Sequence, residues 1–314
     1  MHAAPEHSPP WSHAKGELSL DRARVMAVVN LTPDSFHDGG KLVAEGSDAP
    51  NVTVALRRCQ QLVAQGASVL DIGGESTRPG AEPVSPAIEL ARVLPLLQRL
   101  AGDTTLTAVP VSVDTRHAEV AAAAIAAGAA IVNDVSGLAD PAMLDVIAAS
   151  RAGLVVGHLR GEPRDMQRDI RFADVLGEVA DELAHTVERA VAAGVARARI
   201  LVDPGIGFGK TAEQSAALVA ASGWLRAATG CGVLIGASRK SFLAALVPDG
   251  GASASSDRMV ASVTAAVIAV ERGAAVLRVH DVKETACALA VARGLADAFE
   301  RARAGAAGRG GPRA

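Results

Sequence analysis

Residues 25–40 read VMAVVNLTPDSFHDGG. Five apolar residues, Val25 to Val29, run without a polar break and stop at Asn30. An unbroken apolar run of this length, ended by turn residues, marks a strand buried on both faces, as parallel sheets require. The residues just after the run separate two parallel architectures. A doubly wound open sheet carries a glycine-rich fingerprint after its first strand, and Asn-Leu-Thr-Pro is not one. The loop beyond also holds Asp34, Phe36, His37 and Asp38 before Gly39 and Gly40, where a connector needs only turn residues.

The same kind of run recurs as SVLDIG (68–73), PVSVD (110–114), AIVND (130–134), GLVVGH (153–158), ILVD (200–203), GVLIG (232–236) and AVLRVH (275–280). Longer Ala-, Leu- and Val-rich stretches with helical spacing separate them. In the clearest, Phe172, Val175, Leu176, Val179, Leu183, Val187 and Val191 share one face and Asp181, Glu182, His185 and Glu188 the other, so His185 is expected in solvent. Strand-then-helix units repeated through residues 21–300 predict a single-domain (β/α)8 TIM barrel of the α/β class. Residues 1–20, rich in proline and histidine at their start, are expected to form a flexible arm. Residues 301–314, Gly, Ala and Arg without periodicity, are expected to form a disordered tail.

Composition narrows the partners. In 314 residues, 31 Lys and Arg oppose 34 Asp and Glu for a formal net charge of −3, which favours neither nucleic acid nor a charged membrane. No apolar stretch reaches the roughly 20 residues of a membrane span, and the start lacks the pattern of a secretory leader. Cys59, Cys231 and Cys287 form no paired or zinc-binding spacing, so a reduced, cytoplasmic chain with each cysteine in the core is expected.

The C-terminal ends of the runs carry Asn30, the Asp71–Gly74 corner, Asp114, Asn133 with Asp134, His158, Asp203, the Gly236–Lys240 turn, and Arg278 with His280. In a barrel those ends converge on one mouth, where the active site lies. GASRKSF (236–242) is expected to open a helix near Ser238 to Ser241, which puts Arg239 and Lys240 in a first turn that disfavours cations. Either an anion binds there, as phosphates do near the last strands of barrels, or nearby carboxylates compensate the pair. Arg278 and His280 alternate with Leu277 and Val279 and so face one way. They add donors for a phosphate or diphosphate, unless Arg278 pairs with a carboxylate such as Asp281. Asn30, Asp114, Asn133 and Asp203 suit a flat heterocycle rich in N–H donors and ring acceptors.

Three other chemistries fit poorly. DPGIGFGKT (203–211) has Pro204 where a P-loop needs its first glycine, so it reads as a tight loop with Phe208 as a pocket wall. The first strand lacks the His-x-His pair of metal-dependent barrel hydrolases. Lys240 lies in a turn beyond its strand, which fits a ligand clamp better than a Schiff base.

VNLTPDSFHDGG, DIGGESTRPGAEPVS, VDTR, IVNDVSG, DPGIGFGK, GASRKSF and RVHDV resemble, in order, the motifs of the dihydropteroate synthase family over about residues 20 to 300. The resemblance implies a (β/α)8 barrel, a homodimer and a magnesium-assisted transferase of folate biosynthesis that sulfonamides target. The family joins 6-hydroxymethyl-7,8-dihydropterin diphosphate to 4-aminobenzoate, releasing diphosphate. It implies pterin recognition by Asp114, Asn133, Asp203 and Lys240. Asn30, Arg278 and His280 would hold the diphosphate, with Asn30 on magnesium. Phe36 and Asp38 would belong to a first mobile loop, and Thr77, Arg78 and Pro79 to a second. With Phe208, Lys240 and Ser241 these would form the aminobenzoate pocket. Asp38, Asp114, Lys240 and Arg78 would carry catalysis.

Two positions depart from the family pattern. Gly157 precedes His158 where methionine is common, which removes an apolar contact to the pterin, and His37 replaces a small serine. Two other functions share part of the pattern. A methyltetrahydrofolate-dependent corrinoid methyltransferase would use Asp114, Asn133 and Asp203 but has no need of GASRKS or RVH. A pterin-binding homologue without turnover would keep the pocket alone.

Overall fold

The computed structural model describes residues 8–32, 50–78, 80–247 and 255–307. Eight parallel strands close into a barrel: β3 (Arg24–Asn30), β4 (Val69–Gly73), β5 (Val111–Asp114), β6 (Ile131–Asp134), β7 (Gly153–Gly157), β8 (Ile200–Asp203), β9 (Gly232–Ile235) and β10 (Val276–Val279). Each strand pairs with the next in the chain, and β10 returns to β3. Every apolar run of the sequence is therefore a barrel strand. Helices α1 (Val52–Ala64), α2 (Pro86–Ala101), α3 (Ala118–Ala126), α4 (Ala142–Ala148), α5 (Val175–Ala192), α6 (Ala212–Ala220), α7 (Ser222–Thr229), α8 (Phe242–Ala245), α9 (Ser255–Glu271) and α10 (Val282–Ala307) surround it.

The helix starts follow local chemistry. The Ser85 side chain caps α2 ahead of Pro86, whose missing N–H would have no partner in a first turn. Thr211 and Gln214 form a reciprocal capping box at α6, and Asp174 caps α5. On α5 the buried residues are Val179, Ala180, Leu183, Val187 and Ala190, and His185 is exposed as the periodicity requires.

Strand parity divides the core in two. Val25, Ala27, Val29, Leu70, Ile72, Val132, Val156, Val202, Ile235 and Leu277 point outward and pack under the helices. Met26, Val69, Ile131, Val155, Leu201, Leu234 and Val276 point inward and form a separate cluster with Trp11 and Leu20. The period-two alternation of strands produces this division directly. Continuing along the inward parity toward the strand ends gives Asp71, Asp114, Asn133, Asp203, Arg278 and finally Asn30 and His280. The barrel is thus apolar inside at one end and charged at the other.

Both terminal expectations need correction. Residues 11–18 are no loose arm: β1 (Trp11–His13) and β2 (Gly16–Leu18) form an antiparallel hairpin. Trp11 is buried, its Nε1 donates to the Arg199 carbonyl at 2.9 Å, and Ala14 N–H reaches the Ala130 carbonyl, so the hairpin closes the apolar end. At the other terminus α10 continues through Ala307, beyond the expected barrel limit at residue 300. Cys59 and Cys231 are buried, but Cys287 is exposed on α10, contrary to its expected place in the core. Among the described residues no helix is long and apolar enough to cross a membrane.

Candidate active site

The charged end of the barrel opens into a cavity of about 570 Å³. Asn30, Asp114, Arg278 and His280 line it from strand ends, Phe208, Lys240 and Ser241 from later loops, and Thr77 and Arg78 from the loop after β4. Residues far apart in sequence meet here, whereas Asn133 and Asp203 are buried and are not among the lining residues.

At its base Arg278 acts as a fork. Its Nε donates to Asp71 Oδ2 at 2.6 Å and one terminal nitrogen donates to Asp114 Oδ2 at 2.5 Å. Asp71 is fully buried and also accepts from Asn133 Nδ2 at 3.2 Å. A half-buried guanidinium between two carboxylates is geometrically fixed, because its planar donors match the acceptors. The two aspartates hold the Arg278 pKa above its ordinary value against the opposing effect of burial. Burial pushes the Asp114 carboxyl up to about 7, with Arg278 pulling the other way. The Asn133 Oδ1 is buried and has no hydrogen-bond partner among the described residues, which leaves an acceptor for a bound N–H.

Asp203 ends β8, buried, and its Oδ1 accepts from the Gly205 N–H at 2.8 Å. Burial raises its pKa, opposed first by Lys240. The Lys240 amine donates to the Ile206 carbonyl and stands 4.1 Å from the centre of the Phe208 ring. Burial lowers its pKa to about 8 against the pull of Asp203. Ser241 is exposed immediately before α8. The His280 Nδ1 lies 3.1 Å from Ser238 Oγ, which also accepts the His280 backbone N–H at 3.2 Å.

The loop after β4 is tied down from two sides. Glu75 accepts two 3.0 Å bonds from Arg116 and one at 3.2 Å from the Val84 N–H, and the Gly80 N–H donates to the Pro163 carbonyl at 3.0 Å. Thr77 and Arg78 project into the cavity between these anchors.

Several sequence expectations change. The helix after strand β9 begins at Phe242, so Arg239 and Lys240 precede its first turn. Arg239 adopts φ 60° and pairs through two bonds, 2.9 and 2.5 Å, with Asp281. The compensated pair is therefore the correct reading for Arg239, and Asp281 serves it rather than Arg278. Asp134 stays out of the mouth: its carboxylate accepts from Ser136 and the Leu138 N–H and shapes the turn after β6. His158 likewise faces away, toward Lys210 and Glu182. A side chain at Gly157 would place its Cβ 2.5 Å from Val135 Cα, so the glycine reflects close backbone approach and not an open gap over the ligand. Phe36, His37, Asp38 and Pro79 lie outside the described residues. The sequence placed Asp71 and Ser238 at the mouth without a role for either. It did not point to Glu75 or Arg258, which line the cavity.

Residues 26–280 match the profile of the family described as pterin binding enzyme. Within it, the dihydropteroate synthase of Neisseria meningitidis serogroup C is 43% identical over 281 residues, covering 89% of this chain and 95% of that protein. The chain belongs to the dihydropteroate synthase family. Solved members of that family share its fold closely. Burkholderia cenocepacia dihydropteroate synthase, solved with 7,8-dihydropteroate, superposes with a TM-score of 0.81 at 39% identity, covering 94% of this chain and 99% of that one. The Yersinia pestis enzyme, in a sulfonamide complex, gives 0.82 at 37% identity, covering 92% and 99%. Dihydropteroate synthases thus keep this barrel, and the cavity of about 570 Å³ opens at the strand ends where barrel enzymes place their chemistry.

Proposed function

We propose that the chain joins 6-hydroxymethyl-7,8-dihydropterin diphosphate to 4-aminobenzoate, giving 7,8-dihydropteroate and diphosphate, by ionisation of the carbon–oxygen bond before the amine attacks. The observation that carries this reading is the Arg278 fork between Asp71 and Asp114 at the base of a cation-lined cavity. Asp114, Asn133 and Asp203 offer acceptors to the ring N–H groups of a pterin, and the unpartnered Asn133 Oδ1 supports that role. Arg278 and Lys240 supply positive charge, and His280 a ring nitrogen, for the diphosphate side. The Asp114 carboxylate faces the carbon that becomes positive when the ester bond breaks, with the bonding pair leaving on the diphosphate oxygen. The amine lone pair of 4-aminobenzoate then forms the new C–N bond, and its proton leaves to solvent or diphosphate.

Asn30 would hold magnesium: its side-chain amide lines the cavity together with Asp114, and magnesium favours few protein oxygens completed by phosphates and water. When bound it would neutralise charge on the leaving diphosphate. Phe208, Lys240 and Ser241, facing Thr77 and Arg78, form a slot of the right character for an aromatic acid: a ring to stack on, a hydroxyl and cations for its carboxylate. Sulfonamides, as mimics of the aminobenzoate, are expected to compete there.

A homodimer is supported by an apolar stripe on the two last helices. Val260 and Ile268 of α9 and Val291, Leu295 and Phe299 of α10 are exposed at four- and eight-residue spacings, and a second copy of the chain would cover them. The unpaired thiols agree with a cytoplasmic setting. The test is to incubate the purified protein with both substrates and Mg²⁺ and to measure diphosphate and dihydropteroate together. Stoichiometric appearance of both supports the function, and pterin binding without either product would replace it with the non-catalytic reading.

A further inference from the structure

We infer that Lys210 is the positioning residue that fixes the Phe208 wall of the aminobenzoate pocket, backed by His158 and Glu182. The inference rests on the proposed condensation, since it concerns the pocket that this function requires.

Lys210 is only 4% exposed, and among the described residues its amine forms no ion pair with a carboxylate. Instead Nζ stands 2.9 Å from the Phe208 carbonyl, 3.0 Å from His158 Nδ1 and 3.4 Å from the His158 carbonyl. Burial lowers the Lys210 pKa to about 7, and three acceptors surround its amine. With Nδ1 accepting, the His158 proton sits on Nε2, which lies 3.0 Å from Glu182 Oε2. A neutral imidazole is what burial produces, since it lowers the His158 pKa to about 4. The result is a chain of contacts from a half-exposed carboxylate on α5, through a ring at the end of β7, to a buried amine and then to one backbone carbonyl. The other charged groups facing the amine are Asp203, Lys240 and Arg160.

Burying an ammonium without a carboxylate partner costs stability, so its placement needs a return. The loop it holds explains the placement. Gly205, Gly207 and Gly209 take φ of 67°, 77° and 59°, and a run of such glycines has little shape of its own. A Cβ on Gly205 would lie 1.9 Å from the His158 carbonyl, so the loop backbone is pressed onto the same group that Lys210 clasps. Holding the Phe208 carbonyl from below sets where the ring stands under Lys240. Losing that contact would let the ring shift within the loop while leaving Asp71, Asp114, Asn133 and Arg278 in place.

The test measures KM for each substrate separately. Lys210→Met keeps the length of the side chain and removes the charge. It is expected to raise KM for 4-aminobenzoate about ten- to a hundredfold, the scale of a small misplacement in a site, while KM for the dihydropterin diphosphate stays at the wild-type value. His158→Asn keeps an acceptor near Nδ1 but loses the Glu182 contact, and is expected to raise the aminobenzoate KM less than His158→Leu, which should reproduce the Lys210→Met profile. The histidine pair decides the matter even if the lysine variant does not fold. An unchanged aminobenzoate KM in Lys210→Met or His158→Leu, or equal losses for both substrates tracking lost folded protein, would overturn the inference. A wild-type protein that makes no product would instead overturn the underlying function, and the inference with it.

Discussion

The two ends of this barrel are built from the same strands and behave as different materials. At the N-terminal end the inward positions are Met26, Val69, Ile131, Val155, Leu201, Leu234 and Val276, sealed by Trp11. Two residues further along several of those strands, the inward positions become Asp71, Asn133, Asp203 and Arg278. The first end needs only volume and apolar surface. The second buries charges whose desolvation their mutual contacts offset only in part, so it contributes little to stability and is retained for what it binds. The apolar end can therefore be disturbed without touching the ligand residues, whereas disturbing the charged end costs both binding and stability.

The largest effect is expected from Arg278→Met. It leaves Asp71 and Asp114 buried without their cation, which should cost about 3–5 kcal/mol in urea unfolding. Turnover should fall by about 10²- to 10³-fold at least, as when a charge-stabilising donor is removed. At the opposite end Trp11→Ala should cost a similar amount, about 3–5 kcal/mol, yet both KM values of the folded fraction should match the wild type. If Trp11→Ala changed KM as Arg278→Met does, the two ends would not be independent. Gly157→Met should destabilise by about 1–3 kcal/mol, because its Cβ meets the Val135 backbone; thermal unfolding reads this, and an unchanged midpoint would mean the strand yields freely.

The smallest effect is a pH profile. Lys240 carries charge below its lowered pKa of about 8 and loses it as pH rises through that value, so kcat/KM should decline on the alkaline side near pH 8. Lys240→Arg stays charged and should remove that limb even if the overall rate is lower. An identical limb in the variant would assign the titration elsewhere.

The sequence carried the barrel plainly because two-sided burial leaves strands with no polar interruption, as in VMAVVN and GVLIG. It carried most of the mouth because one polar residue at one strand end is commonplace and several arriving at one rim are not. It did not separate Asp134 and His158 from the true mouth residues, since inward and outward parity depends on register that only closure fixes. Asp71 was visible as a strand-end residue, but its role needs Arg278, 207 positions away, to be seen beside it. Arg239 was misplaced because helix α8 starts later than the SRKS pattern indicates, and its partner Asp281 was offered to the wrong arginine. The hairpin around Trp11 was hidden by strands of three residues each, too short to show a period.

The central claim is bond breaking before bond making at the charged rim. The direct measurement uses dihydropterin diphosphate labelled with ¹⁸O in the ester bridge, incubated with the protein and Mg²⁺ without 4-aminobenzoate. Ionisation and return predict that the label moves from the bridge into non-bridging positions of recovered substrate, and that Asp114→Asn slows this movement. Label that stays in the bridge, while the same preparation makes dihydropteroate once the amine is added, would contradict the mechanism and favour direct displacement.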